Sequence, residues 1–181
     1  VKLEGSCHCR AVTFSLQSRT PYPYLRCYCS ICRKTQGGGG YAINIMGLTA
    51  TLRVQGKGNL KVYRAKVEDP KRPGKFVRSP ARRHFCAVCG SGLYVWDPRW
   101  PQWVYPFASS IDTPLPKPPE RIHMMLDHAA PWVEVPRPGP RNRHFAQWPD
   151  EAIIEWHRRH GLYGKSSSAF GHGGGTRRSS Q

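Results

Sequence analysis

At 181 residues, 39% hydrophobic and 11% aromatic, the chain is long enough to bury a core as one domain with a tail. Eighteen glycines and seventeen prolines argue against a mostly helical body, and 28 Lys+Arg against 11 Asp+Glu leave a formal charge of +17 that favours anionic partners. No run approaches the ~18 apolar residues of a membrane span, and V-K-L-E-G-S-C at the start lacks an apolar signal core, so a cytoplasmic location is expected.

Alternation of apolar and polar residues predicts strands over 11–17, 41–46 and 60–65. The basic stretch 66–76 reads as a hairpin tip or loop, and residues 53–83 carry eleven Lys/Arg against two acids. Further strands are expected over 83–86, 92–96, 103–108 and 121–126, with Pro106 demoting its strand to an edge or a bulge. Residues 135–143 (V-P-R-P-G-P-R-N-R) have the composition of a linker. One helix is expected in W-P-D-E-A-I-I-E-W-H-R-R-H-G, with Pro149 in its first turn and Gly161 at its C-terminal stop. Asp150 and Glu151 would lie at the positive end of its dipole, and Ala152, Ile153 and Trp156 on its packed face. The stretch from Lys165 onward (K-S-S-S-A-F-G-H-G-G-G-T-R-R-S-S-Q) is low-complexity and expected to be disordered in isolation.

All seven cysteines fall in C-x-C or C-x-x-C spacing: Cys7 and Cys9, then Cys27, Cys29 and Cys32, then Cys86 and Cys89. Thiols so close in sequence are poor long-range disulfide partners and good metal ligands. F-C-A-V-C-G-S-G-L is a zinc-knuckle pattern, with Gly90 and Gly92 easing the turn. A knuckle supplies two ligands, and the C-x-C pair at 7 and 9 offers two more, making a closed four-thiolate site. That leaves Cys27, Cys29 and Cys32 as a three-thiolate group. Spacing leaves open whether its fourth position is kept for chemistry or is filled by His8, His84 or another imidazole.

G-S-C-H-C-R-A-V, C-Y-C-S-I-C-R-K and F-C-A-V-C-G-S-G-L together resemble the glutathione-dependent formaldehyde-activating enzyme family, which includes centromere-protein-V-like members. S-S-I-D-T-P and the terminal W-P-D-E-A-I-I-E-W-H-R-R-H-G-L strengthen the likeness. The resemblance implies a mainly β, Mss4-like fold of several small coiled sheets around zinc, with one C-terminal helix. It implies a zinc-binding domain over 3–135, a linker and helix over 136–163, and a disordered tail over 164–181. It also implies two zinc ions per chain, a structural one on Cys7, Cys9, Cys86 and Cys89 and a catalytic one on Cys27, Cys29 and Cys32. The implied activity is that of a carbon–sulfur lyase, forming S-hydroxymethylglutathione from formaldehyde with glutathione as cosubstrate. Arg10 departs from the pattern, standing where glycine is usual.

Arg33 and Lys34 could attract glutathione carboxylates or be a solvated loop pair. Asp112 and Asp127 could be acid/base groups, but lone aspartates beside turns are more often caps. Trp96, Trp100 and Trp103 fit a core or interface cluster better than a substrate wall. His157 and His160 fit dipole and surface roles. The expected partners are a small thiol and a carbonyl compound, with nucleic acid less favoured and no membrane. The rival readings are a non-catalytic zinc module binding nucleic acid or another polyanion, and a redox-sensing thiol protein.

Overall fold

The computed structural model describes residues 1–36 and 38–165. Fourteen strands and two short α-helices are found there, so the chain is mainly β, as expected. One antiparallel sheet joins β1 (Lys2–Ser6), β2 (Thr13–Gln17) and β6 (Arg53–Gln55). A larger antiparallel sheet runs in the order β5 (Gly47–Leu48), β12 (Trp103–Pro106), β11 (Gly92–Trp96), β10 (Arg82–Cys86) and β7 (Leu60–Tyr63). Their facing residues make the first core: Leu3, Phe14, Leu16, Ile45, Leu93, Tyr94 and Val104, with Cys7 and Cys86 at its edge.

The third sheet runs β14 (Asn142–His144), β13 (Arg121–Met124), β3 (Leu25–Cys27) and β4 (Ala42–Ile43). Here β13 lies parallel to both β3 and β14, although about a hundred residues separate β3 from β13. The stretch with linker composition thus ends in a strand. One face of this sheet builds the second core, where Tyr24, Leu25, Cys27, Cys32, Phe107, Ile122 and Met124 pack with Trp156.

Trp156 comes from α2 (Ile153–Arg159), stacks on Tyr24 at 3.8 Å between ring centres, and donates its indole N–H to Glu120 at 2.7 Å. The expected helix is therefore present but shorter. Pro149, Asp150 and Glu151 precede it, and the two acids pair with Arg143 (2.9 and 2.8 Å) instead of lying in the first turn. Glu155 caps the helix start by accepting from the Ala152 backbone N–H at 2.8 Å. Gly161, at φ +64°, ends it as expected.

Two other expectations need correction. β12 is an interior strand, and Pro106 is tolerated because it is the last residue, past the point where β5 pairs with Trp103 and Val104. Residues 66–76 belong to a two-stranded ribbon, β8 (Lys66–Asp69) and β9 (Arg72–Arg78), whose register shifts between Glu68 and Asp69, which pairs among the described residues only with itself, and which is exposed throughout β9. Of the low-complexity tail, residues 166–181 lie outside the described residues.

Candidate functional site

The cysteines gather as their spacing suggested. The Sγ atoms of Cys7, Cys9, Cys86 and Cys89 all lie within 4.8 Å of one another, and so do those of Cys27, Cys29 and Cys32. Sulfurs bound to one tetrahedral zinc at about 2.3 Å stand roughly 3.8 Å apart. The measured Cys7–Cys9 and Cys9–Cys86 separations, 3.6 and 3.9 Å, fit that spacing. Each group could hold a metal ion, and the four-cysteine group is complete without further ligands.

Two similar turns build the four-cysteine group. In the first, Arg10 N–H donates to Cys7 O (3.0 Å) and Val12 N–H to Cys7 Sγ (3.2 Å). In the second, Gly90 N–H donates to Cys86 O and Cys86 N–H to Ser91 O, both at 2.9 Å. Both turns pass through a left-handed residue, Arg10 at φ 59° and Gly90 at φ 75°. Glycine occupies that region freely, whereas arginine is strained there. The mirrored geometry explains why glycine suits the position that Arg10 holds.

The three-cysteine group straddles a strand end and a helix start. Cys27 closes β3, Cys29 lies in the turn, and Cys32 sits in α1 (Ser30–Gln36), a helix that cysteine patterning alone did not reveal. Cys29 Sγ accepts from the Cys32 backbone N–H at 3.4 Å. Hydrogen bonds from Cys27 and Cys32, aided by the backbone N–H groups of Cys32 and Ile31, pull the Cys29 thiol down to about 2. Cys27 is pushed up because it shares protons with Cys29 and Cys32 and is buried.

A cleft of about 720 Å³ begins one residue after Cys32 and runs to the four-cysteine group, lined by Arg10, Arg33, Lys34, Gln36, Ser91 and Asp112 among others. Its charge is basic, with three cations against one carboxylate. The amide of Gln36, at the end of α1, lies so close to Gly92 that any Cβ there would collide with it. Helix α1 thereby rests against the second knuckle. Arg33 Nε is buried and has no hydrogen-bond partner among the described residues.

Other candidates fall elsewhere. His8, though exposed, and Asp112 both line the cleft, while Asp127 is exposed and accepts from Gln147 at 2.8 Å. His84 stacks on Tyr94 at 4.5 Å and makes no hydrogen bond to a cysteine sulfur. Trp96 carries Arg82 over its ring, and Trp100 is exposed. His157, expected at the surface, is fully buried and donates from Nδ1 to Ile153 O at 2.8 Å. Spacing also missed Tyr28 and His123, joined at 2.8 Å, because the pair forms only through the parallel contact of β3 and β13.

A mainly β protein built around two clustered-thiol sites, each able to hold a metal ion, is the class that these features define. A family model described as "Glutathione-dependent formaldehyde-activating enzyme" matches residues 2–125, so the chain belongs to that family. A curated Halomonas elongata protein named "Putative glutathione-dependent formaldehyde-activating enzyme" is 54% identical over 160 residues, which is 88% of this chain and 97% of that one. A solved Rhodobacter sphaeroides protein aligns over 62% of this chain and 91% of its own, with 26% identity and a TM-score of 0.46. Among the described residues no helix is long and apolar enough to cross a membrane.

Proposed function

We propose that the protein is a zinc-dependent carbon–sulfur lyase that joins glutathione, or a related thiol, to formaldehyde or another small carbonyl compound. One observation carries this reading. Cys7, Cys9, Cys86 and Cys89 form a complete ligand set, whereas the group of Cys27, Cys29 and Cys32 has no fourth Cys, His, Asp or Glu ligand among the described residues. Closed sites are structural, and a site with one position free can take substrate. Zinc in the three-cysteine group would stabilise a substrate thiolate and act as a Lewis acid toward a carbonyl oxygen. Arg10, Arg33 and Lys34 in the adjoining cleft would hold the carboxylates of glutathione. We place this activity in the cytoplasm, where reduced thiols persist.

The test counts zinc per chain and follows glutathione-dependent consumption of formaldehyde. Two ions are expected in the wild type and one in Cys29→Ala with the fold retained, together with turnover above the spontaneous rate that Cys29→Ala abolishes. One ion in the wild type, or no rate above background, would overturn the reading.

A second reading has one observation in its favour. The β8–β9 ribbon exposes Lys66, Lys71, Arg72, Lys75 and Arg78 around Phe76, which is 67% exposed. That surface could bind nucleic acid or another polyanion, with an affinity that falls steeply as salt rises.

A further inference from the structure

Arg83 lies on β10 with Val95 as its direct cross-strand partner, so the two side chains share one face of the five-stranded sheet. Val95 packs against the core cluster that contains Cys27 and Cys32, which sets Arg83 beside the three-cysteine group. Its positive charge reaches the Cys32 thiol and the Asp97 carboxylate. Asp97 is already taken, because Arg99 grips it with a two-pronged fork of 3.0 and 2.7 Å. Arg83 Nε and Nη1 are buried and make no hydrogen bond among the described residues. Buried guanidinium donors left unpaired cost stability, and such groups in a folded protein usually meet a ligand or a water. The cleft already offers Arg10, Arg33 and Lys34 to carboxylates, whereas Arg83 is not among the residues that line it.

We propose that Arg83 forms an oxyanion subsite beside the three-cysteine group and holds the oxygen of the small carbonyl substrate. This rests on the thiol–carbonyl reading above and adds the group that receives the charge. The step balances without an oxidant or reductant. The thiolate sulfur bonds to the carbonyl carbon, the C=O π bond breaks, and its electron pair moves to oxygen. A proton equivalent to the one lost from the thiol then reaches that oxygen, giving the hydroxymethyl product. Arg83 keeps its own protons and stabilises the oxygen while it carries charge, as a preorganised donor does.

The experiment compares wild type, Arg83→Met, Arg83→Lys and Arg82→Met as purified zinc-loaded proteins. Arg82 is the adjacent cation, lies over the Trp96 ring, and controls for loss of charge on β10. Zinc content and thermal melting are checked first. Turnover with formaldehyde and glutathione is measured next, and formate, a one-carbon oxyanion, is titrated by calorimetry. Arg83→Met is expected to keep its zinc, to lose roughly 100-fold in kcat with KM for glutathione within about twofold, and to lose formate binding. Arg83→Lys should recover part of both, and Arg82→Met should match wild type.

A raised KM for glutathione at unchanged kcat would overturn the proposal, since Arg83 would then hold a carboxylate of the thiol. Unchanged formate binding, or zinc loss as the main effect, would overturn it as well. If Arg83→Met fails to fold, Arg83→Lys gives the same readouts. If wild type binds formate through Arg83 yet shows no glutathione-dependent turnover, the subsite stands and the thiol–carbonyl reading falls.

Discussion

Tyr28 gives its hydroxyl hydrogen bond to His123 Nδ1 across 2.8 Å, and both side chains are fully buried. His123 Nε2 meets Asn142 Oδ1 at 3.3 Å, which fixes the imidazole with its proton on Nε2 and its lone pair toward Tyr28. Burial holds the His123 pKa down to about 4, so the ring is neutral at neutral pH. Tyr28 stands between Cys27 and Cys29 in the chain, so this buried bond lies within the three-cysteine loop.

Replacing Tyr28 by Phe removes the hydroxyl and leaves the buried Nδ1 of His123 unpaired. A loss of about 1–3 kcal/mol is expected, read as a lower urea midpoint at unchanged slope. An unchanged midpoint would mean that the two rings are not in contact in solution.

Arg10→Gly relieves a left-handed arginine, so it should stabilise the fold by about 1 kcal/mol. The same change removes a cation from the 720 Å³ cleft and should raise KM for glutathione several-fold. Melting temperature and KM should therefore rise together. A variant that melts lower would show that the Arg10 side chain contributes more to the fold than its backbone costs.

His157 is fully buried on α2, and desolvation holds its pKa down to about 4 against 6.5 in an open chain. The unfolded state binds the extra proton first, so stability conferred by the neutral ring is present above pH 6.5. It is lost progressively as pH falls from 6.5 toward 4. Denaturation midpoints over this window should separate wild type from His157→Gln, with the wild type showing the steeper decline. Comparing the two cancels whatever the thiols contribute in both. Parallel curves would show that His157 is accessible to protons.

Chelation should divide the two thiol groups. In the four-cysteine group Cys7 and Cys86 are buried and join strands from distant parts of the chain, so Cys86→Ala should prevent stable folding. Cys29→Ala, in a local loop held by β3 and α1, should fold and bind one metal ion fewer. Circular dichroism and metal analysis of the two variants check this; equal loss of fold in both would mean the groups are not distinct.

The cysteine groups were legible because ligand spacing is a local property that survives without knowledge of the fold. Strand β2 was legible because T-F-S-L-Q alternates and its burial alternates with it. The helix α1 was not, since S-I-C-R-K-T-Q has no apolar stripe and its inward residue is Cys32. Nor were β3 and β14, which are three residues long and exist because β13 lies parallel between them. Arg83 looked like one of many basic residues, and only its pairing with Val95 turns it toward Cys32.

The parallel contact of β3 with β13 imposes an order on the newborn chain. Cys7 and Cys9 can meet Cys86 and Cys89 as soon as residue 89 has been made. Cys27, Cys29 and Cys32 emerge early, and β3 can pair with β4 soon after, but the parallel strand β13 is missing until residues 121–124 arrive and the Trp156 seal until later still. During synthesis Cys27, Cys29 and Cys32 thus wait longest for their surroundings, and the four-cysteine group can come together before theirs is complete.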